Sequence, residues 1–109
     1  MKGKIVLIPF PFTDLTSSKL RPALVLYQGK HDLILAFISS QTRYETTGVE
    51  VMVQKGNPGF DSSGLKVDSV IRLDKLATVL KDLVIAELGE LDVSCREEVN
   101  RKICALLRV

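Results

Sequence analysis

Arg21, Ser39 and Ser40 are the residues of this chain whose types and spacing best suit chemistry. Arg21 opens the apolar run Arg21-Pro-Ala-Leu-Val-Leu26, and the two serines close the next, Leu33-Ile-Leu-Ala-Phe-Ile-Ser-Ser40. Pro22 fixes its own φ and biases Arg21 away from helical backbone angles. An arginine anchored there can aim a planar, five-donor fork at a phosphate. Hydroxyls at Ser39 and Ser40, with the amide of Gln41 beside Thr42 and Arg43, can hold a phosphate or a ribose hydroxyl. They can equally make routine turn hydrogen bonds. No histidine stands near them to activate a hydroxyl, so covalent serine chemistry is disfavoured.

Arg72 and Asp74 flank Leu73 at what reads as the end of a strand. Residues two apart in a strand point to one sheet face, so a basic donor and a carboxylate stand side by side. The pair can divide acid and base work around a phosphate, or can act as a salt bridge fixing the strand end. Asp14, Lys19, Glu45 and Lys66 are further charges on loops that could border a groove. His31 is the single histidine, in a turn beside Asp32. Zinc sites needing several histidines are therefore excluded. No Walker loop or dinucleotide fingerprint is present, and no metal or cofactor is expected.

The elements that must position these residues are mostly strands. Ile5-Val-Leu-Ile8 reads as a short strand, with Pro9 and Pro11 marking its edge or end. Thr13 to Lys19 is a polar, turn-rich loop whose hydroxyls and Asp14 compete for backbone hydrogen bonds. Ala23–Tyr27 and Leu33–Ile38 form an antiparallel hairpin across Gln28-Gly-Lys-His-Asp32. Their continuous apolarity implies burial on both faces, so the sheet must be covered or close on itself. Val49-Glu-Val-Met-Val53 alternates, with Glu50 outward. Gly56-Asn-Pro-Gly59 signals a turn, Phe60 to Lys66 continues as loop, and Val67–Leu73 is a strand. Residues 76–91 fit either a helical stripe or a short strand. Ser94-Cys-Arg-Glu97 has capping-box spacing, and Val99, Ile103, Leu106 and Leu107 then share one helical face. A single mostly β (α+β) domain over residues 1–109 follows, closed by a C-terminal helix.

Composition agrees. The chain has 109 residues, 46% of them hydrophobic, which suits one core. No apolar run approaches the roughly 20 residues that cross a bilayer, and no secretory segment develops after Met1-Lys-Gly-Lys4. Cys95 and Cys104 lie too far apart along a helix to be bridged, so a reduced, cytoplasmic protein is expected. The net charge is only +2, yet residues 1–60 hold seven Lys/Arg against four acids, whereas residues 61–109 hold eight against nine. A modest basic face around the first half could attract a phosphate backbone.

These residues resemble the MazF/PemK/Kid family of bacterial toxin endoribonucleases. The pattern runs from Gly3-Lys-Ile-Val-Leu-Ile-Pro-Phe-Pro-Phe-Thr-Asp14 through Arg21-Pro-Ala-Leu-Val-Leu26, Ala36-Phe-Ile-Ser-Ser-Gln41, the Gly64 region and Val70-Ile-Arg-Leu-Asp-Lys-Leu76 to Gly89 and the last helix. The resemblance implies a compact SH3-like barrel with a C-terminal helix, a homodimer, and metal-independent cutting of single-stranded RNA under the control of a cognate antitoxin. It implies catalytic roles for Arg21, Ser39, Arg72 and Asp74. Ser39 stands where the family usually has threonine, and the histidine that some Kid-like members carry in the first loop is absent between Phe12 and Arg21. By the same resemblance, loops 13–20 and 54–65 border the RNA channel. Thr13, Asp14, Lys19, Ser40, Gln41 and Lys66 then contact substrate. Phe60 either stacks on a base or anchors its loop. The competing class is a non-catalytic SH3-like module that binds nucleic acid or peptide without turnover. An antitoxin-type or DNA-gyrase-directed relative of similar fold is the other rival.

Overall fold

The structure is a computed structural model and describes residues 1–10, 19–41 and 48–109, apart from the side chain of Phe10. Six strands form one antiparallel sheet in the order β4-β5-β3-β2-β1-β6, curled into a half-barrel. The strands are β1 (Lys4–Phe10), β2 (Lys19–Gln28), β3 (Asp32–Ser39), β4 (Glu50–Val53), β5 (Ser69–Leu80) and β6 (Ala86–Glu90). A short helix α1 (Phe60–Ser63) precedes β5, and helix α2 (Val93–Leu106) ends the chain.

The predicted hairpin is β2–β3, closed where Gly29 N–H donates to the Asp32 carbonyl at 2.8 Å. Both faces of these strands are buried, as their unbroken apolarity required. One face carries Leu24, Ala36, Ile38, Val51 and Ile71 in a core that Phe60 and Val99 complete from α1 and α2. The other carries Val6, Ile8, Ala23, Val25, Leu33, Leu35 and Val79. Pro9 lies inside β1, beyond the stretch Lys4–Leu7 that pairs with β6, so its missing N–H costs no ladder bond on that side.

The ambiguous stretch 76–91 is strand on both sides of a single 3-10 turn at Lys81–Leu83. Pairing with β3 decides it: Leu33 and Leu35 need a neighbour, and Val79 and Ala77 supply it. β5 is interrupted rather than ended near Asp74. Ala36 pairs with Leu76 and Phe37 with Arg72, so Leu73, Asp74 and Lys75 bulge out of the ladder. Such a bulge bends the strand and re-aims its side chains.

Three local readings are corrected. Residues 60–63 are helix rather than loop, ending at Gly64 with φ +75°. The cap of α2 is Asp92, whose carboxylate accepts from Cys95 N–H at 2.9 Å, and Ser94 sits exposed in the first turn. The chain arrives there with Leu91 buried and its N–H on the Gly3 carbonyl at 2.9 Å, which leaves Asp92 as the last extended residue. The apolar stripe of α2 covers the sheet only through Val99 and Ile103, while Leu106 and Leu107 run off it into solvent. Both cysteines are free; burial, followed by the neighbouring Asp92 carboxylate, pushes the Cys95 thiol up to about 12. No helix among the described residues is long and apolar enough to cross a membrane.

Candidate active site at one end of the sheet

Strand alternation brings the predicted residues to one place. Ala23 pairs with Phe37, Phe37 with Arg72, and Arg72 with Glu50, which makes a single cross-strand row. The next row outward contains Ile8 opposite Arg21 and Ser39 opposite Val70. The β2–β3 ladder stops at Ala23/Phe37, and its register carried two residues further sets Arg21 opposite Ser39. Directly opposed residues share a face, as do residues two apart. Arg21, Ser39, Arg72 and Glu50 therefore occupy the face that is apolar near the hairpin, where Val25, Leu33 and Leu35 lie. The face changes from hydrocarbon to charge along its own strands. β2 and β5 are separated by β3, about 10 Å in all at two strand spacings. Two arginine side chains on either side can thus converge on a phosphate above Ser39 and Phe37.

Arg72 and Asp74 form a two-point pair. Nε donates to Oδ1 at 3.2 Å and Nη2 to Oδ2 at 3.1 Å. The bulge makes this possible by lifting Asp74 out of the ladder beside Arg72. The hydrogen bonds from Arg72 hold the Asp74 carboxyl below its ordinary value despite some burial. The carboxylate form of Asp74 is consequently favoured over the protonated one. Its most direct effect is to fix the plane of the Arg72 fork.

Ser39 Oγ accepts from Gln41 N–H at 3.1 Å, which ties the hydroxyl to the strand end and leaves its hydrogen for another partner. Ser40 and Gln41 are exposed just beyond it. Lys19 is exposed on the same face of β2 as Arg21, two residues before it. Lys66 is exposed in the segment leading into β5, at the same end of the sheet as Ser39. Thr13 and Asp14, like Thr42, Arg43 and Glu45, lie outside the described residues. Phe60 is 8% exposed and packs in the core, so it anchors α1 and offers no ring for stacking. Among the described residues no three His, Cys, Asp or Glu side chains gather as a metal site.

Glu50 is the residue the sequence misassigned. It does point away from Val51 and Val53, as alternation required, yet it is only 6% exposed. Alternation tells which face a residue takes, and solvent was assumed on a face that is in fact covered. A signal existed in the unbroken apolarity of β3, which already implied two buried faces.

Fold and site together describe an SH3-like half-barrel with a terminal helix and a basic, hydroxyl-bearing strand end. Residues 1–107 match the family described as PemK-like, MazF-like toxin of type II toxin-antitoxin system, and the chain belongs to that family. No curated protein sequence matches it significantly. Among solved structures it is similar to an endoribonuclease in complex with its cognate antitoxin from Mycobacterial species, with TM-score 0.72 and 17% identity over 98% of this chain and 93% of that one. It is also similar to the Mycobacterium tuberculosis toxin MazF-mt6, with TM-score 0.71 and 21% identity over 94% and 93%. MazF from Deinococcus radiodurans gives TM-score 0.72 and 21% identity over 99% and 96%. At such identities these likenesses speak to the fold.

Proposed function

We propose that this protein is a cytoplasmic endoribonuclease toxin that cuts single-stranded RNA at preferred sequences, without a metal ion, and is held inactive by a cognate antitoxin. The observation that carries this reading is the gathering of Arg21, Ser39 and the Arg72–Asp74 pair on adjoining rows of one sheet face. Family membership supports it, as does the fold shared with an endoribonuclease–antitoxin complex.

RNA supplies its own nucleophile, so the protein's task is to orient and neutralise. The 2′-oxygen attacks the adjacent phosphorus, the bond from phosphorus to the 5′-oxygen breaks, and a 2′,3′-cyclic phosphate and a 5′-hydroxyl result. Arg21 and Arg72 stabilise the charge that grows on the phosphoryl oxygens, a contribution that is largest where donors are preorganised. Ser39 and Ser40 hold the scissile phosphate. Asp74, ionised through its bonds to Arg72, takes the 2′ proton, and the departing oxygen takes one from solvent. Residues 13–20 and 54–65, the latter including α1, border the strand and choose its bases, since single strands expose base edges for readout. Lys19, Gln41 and Lys66 contact the flanking backbone, together with Thr13 and Asp14. The active form is a homodimer, and the antitoxin sets acidic and apolar side chains near Arg21.

Incubation of the purified protein with a mixed RNA pool in EDTA, followed by mapping of fragment ends, tests this reading. The expected products share a short sequence at the cut and carry 5′-hydroxyl and cyclic phosphate ends. Intact RNA, or 5′-phosphate ends, would reject it. RNA that is bound but never cut would favour a binding module instead.

A further inference from the structure

The segment between β4 and β5 is held unevenly. Its second half is built into the fold: Phe60 enters the core from α1, Ser63 Oγ donates to the Phe60 carbonyl at 2.5 Å, and Leu65 N–H donates to Ser63 Oγ at 3.1 Å. Its first half, Lys55-Gly-Asn-Pro58, is exposed throughout. The backbone bonds there are local, from Asn57 N–H to the Gln54 carbonyl and from Phe60 N–H to the Asn57 carbonyl, both at 3.1 Å. Among the described residues, one hydrogen bond ties this turn to a distant part of the chain. Lys55 N–H donates to Asp68 Oδ1 at 2.8 Å, across thirteen residues.

We propose that Asp68 is a positioning residue that holds the turn 54–58 in place against the RNA strand, with the Lys55 ammonium on a phosphate and the Asn57 amide on a base edge. The contact with RNA rests on the endoribonuclease reading, whereas the hold on the turn rests on the bond to Asp68.

Register sets the turn beside the candidate site. Met52 pairs with Val70 and Val70 with Ser39, so these three share one cross-strand row. Val53 and Ser69, the next pair, close the base of the excursion, and the turn leaves the sheet one row beyond Ser39. The side chains there suit a single strand. Lys55 makes no ion pair among the described residues, and the Asn57 amide carries both donors and an acceptor. A lysine neutralises phosphate, and unstacked bases offer their edges to an amide. Energetics makes Asp68 matter. An exposed turn with Gly56 at φ +92° has many conformers to lose when RNA binds. A charge-assisted bond made beforehand removes part of that ordering cost from the binding step.

The test compares Asp68→Ala with Asp68→Asn. Asparagine keeps an Oδ1 acceptor and loses the charge, whereas alanine loses both. Asp68 is exposed and outside the core, so both variants should fold. Hydrogen exchange of the Lys55 amide is measured in the free proteins. Cleavage is measured on an oligonucleotide with the mapped site and on one with a single flanking base changed. With alanine, Lys55 exchange is expected to rise about tenfold, and KM to rise about fivefold with kcat nearly unchanged. Preference for the mapped site should fall by a similar factor. Asparagine should restore most of each property, and Lys55→Ala should raise KM with kcat kept. Tighter RNA binding by both Asp68 variants would show that only the acid's repulsion mattered, and would overturn the proposal. Unchanged Lys55 exchange in the alanine variant overturns it too, as do unchanged KM and preference where the parent cuts RNA. A parent that cuts no RNA sinks the endoribonuclease reading and the RNA contact together, while the exchange ratio still decides whether Asp68 holds the turn.

Discussion

Replacing Arg21 by alanine is expected to abolish RNA cleavage in a protein that remains folded. The side chain is exposed toward the outer end of β2, where the buried part of the strand begins only at Ala23, so little packing is lost. Surface changes of that kind usually shift stability by about 0.5 kcal/mol or less. The chemical loss is of another order. Removing one preorganised donor to a developing oxyanion lowers kcat by roughly 10²–10³-fold. Arg21→Lys should recover little of this, because a point charge lacks the planar fork that meets two phosphoryl oxygens at once. Melting temperature and single-turnover cleavage, measured on both variants, check the expectation. Parental activity in either would remove Arg21 from the reaction.

The largest structural effect is expected from Gly64→Ala. Gly64 ends α1 at φ +75°, and a Cβ there would stand 2.0 Å from the Leu88 carbonyl oxygen and 2.5 Å from its carbon. These are backbone atoms of β6 and cannot swing aside. Gly89 mirrors the contact, since its Cβ would lie 2.3 Å from the Ser62 carbonyl oxygen. The two glycines let α1 and β6 touch backbone to backbone. A left-handed alanine costs about 1–2 kcal/mol before any clash. With the clash, a loss of at least about 3 kcal/mol is expected. Gly56→Ala is the control, because Gly56 has φ +92° with nothing within 4 Å, so only the backbone penalty applies. Urea unfolding should show a much lower midpoint for Gly64→Ala than for Gly56→Ala. Equal midpoints would mean that the α1–β6 approach contributes nothing.

Much of this architecture was legible in the residues, and the failures have physical causes. Apolar runs with a glycine-bearing turn between them were enough to find the β2–β3 hairpin, because both signals are local. The placement of Arg21 and Ser39 on one sheet face was only half visible. Their types suggested phosphate chemistry, but the register that brings them together is a long-range fact set by the hairpin. Residues 76–91 could not be assigned locally, since Leu76, Val79, Leu80, Leu83 and Val84 satisfy a helical stripe as well as a strand, and only β3 as partner breaks the tie. Ser94 lost the cap to Asp92 because the buried Leu91 fixes where the helix can begin. The loop reading of residues 60–63 and the solvent-facing reading of Glu50 failed for one shared reason. Polarity and loop context were taken as measures of exposure, whereas coverage depends on elements distant in the chain.

In the proposed reaction the substrate's own 2′-hydroxyl opens the strand within the field of Arg21, Ser39 and Arg72. A single-site oligonucleotide carrying 2′-methoxy at the mapped cleavage position, compared with its unmodified twin, tests this most directly. The unmodified strand should be cut, and the methoxy strand should stay whole while still competing for binding. Cleavage of the methoxy strand at the same linkage would contradict it.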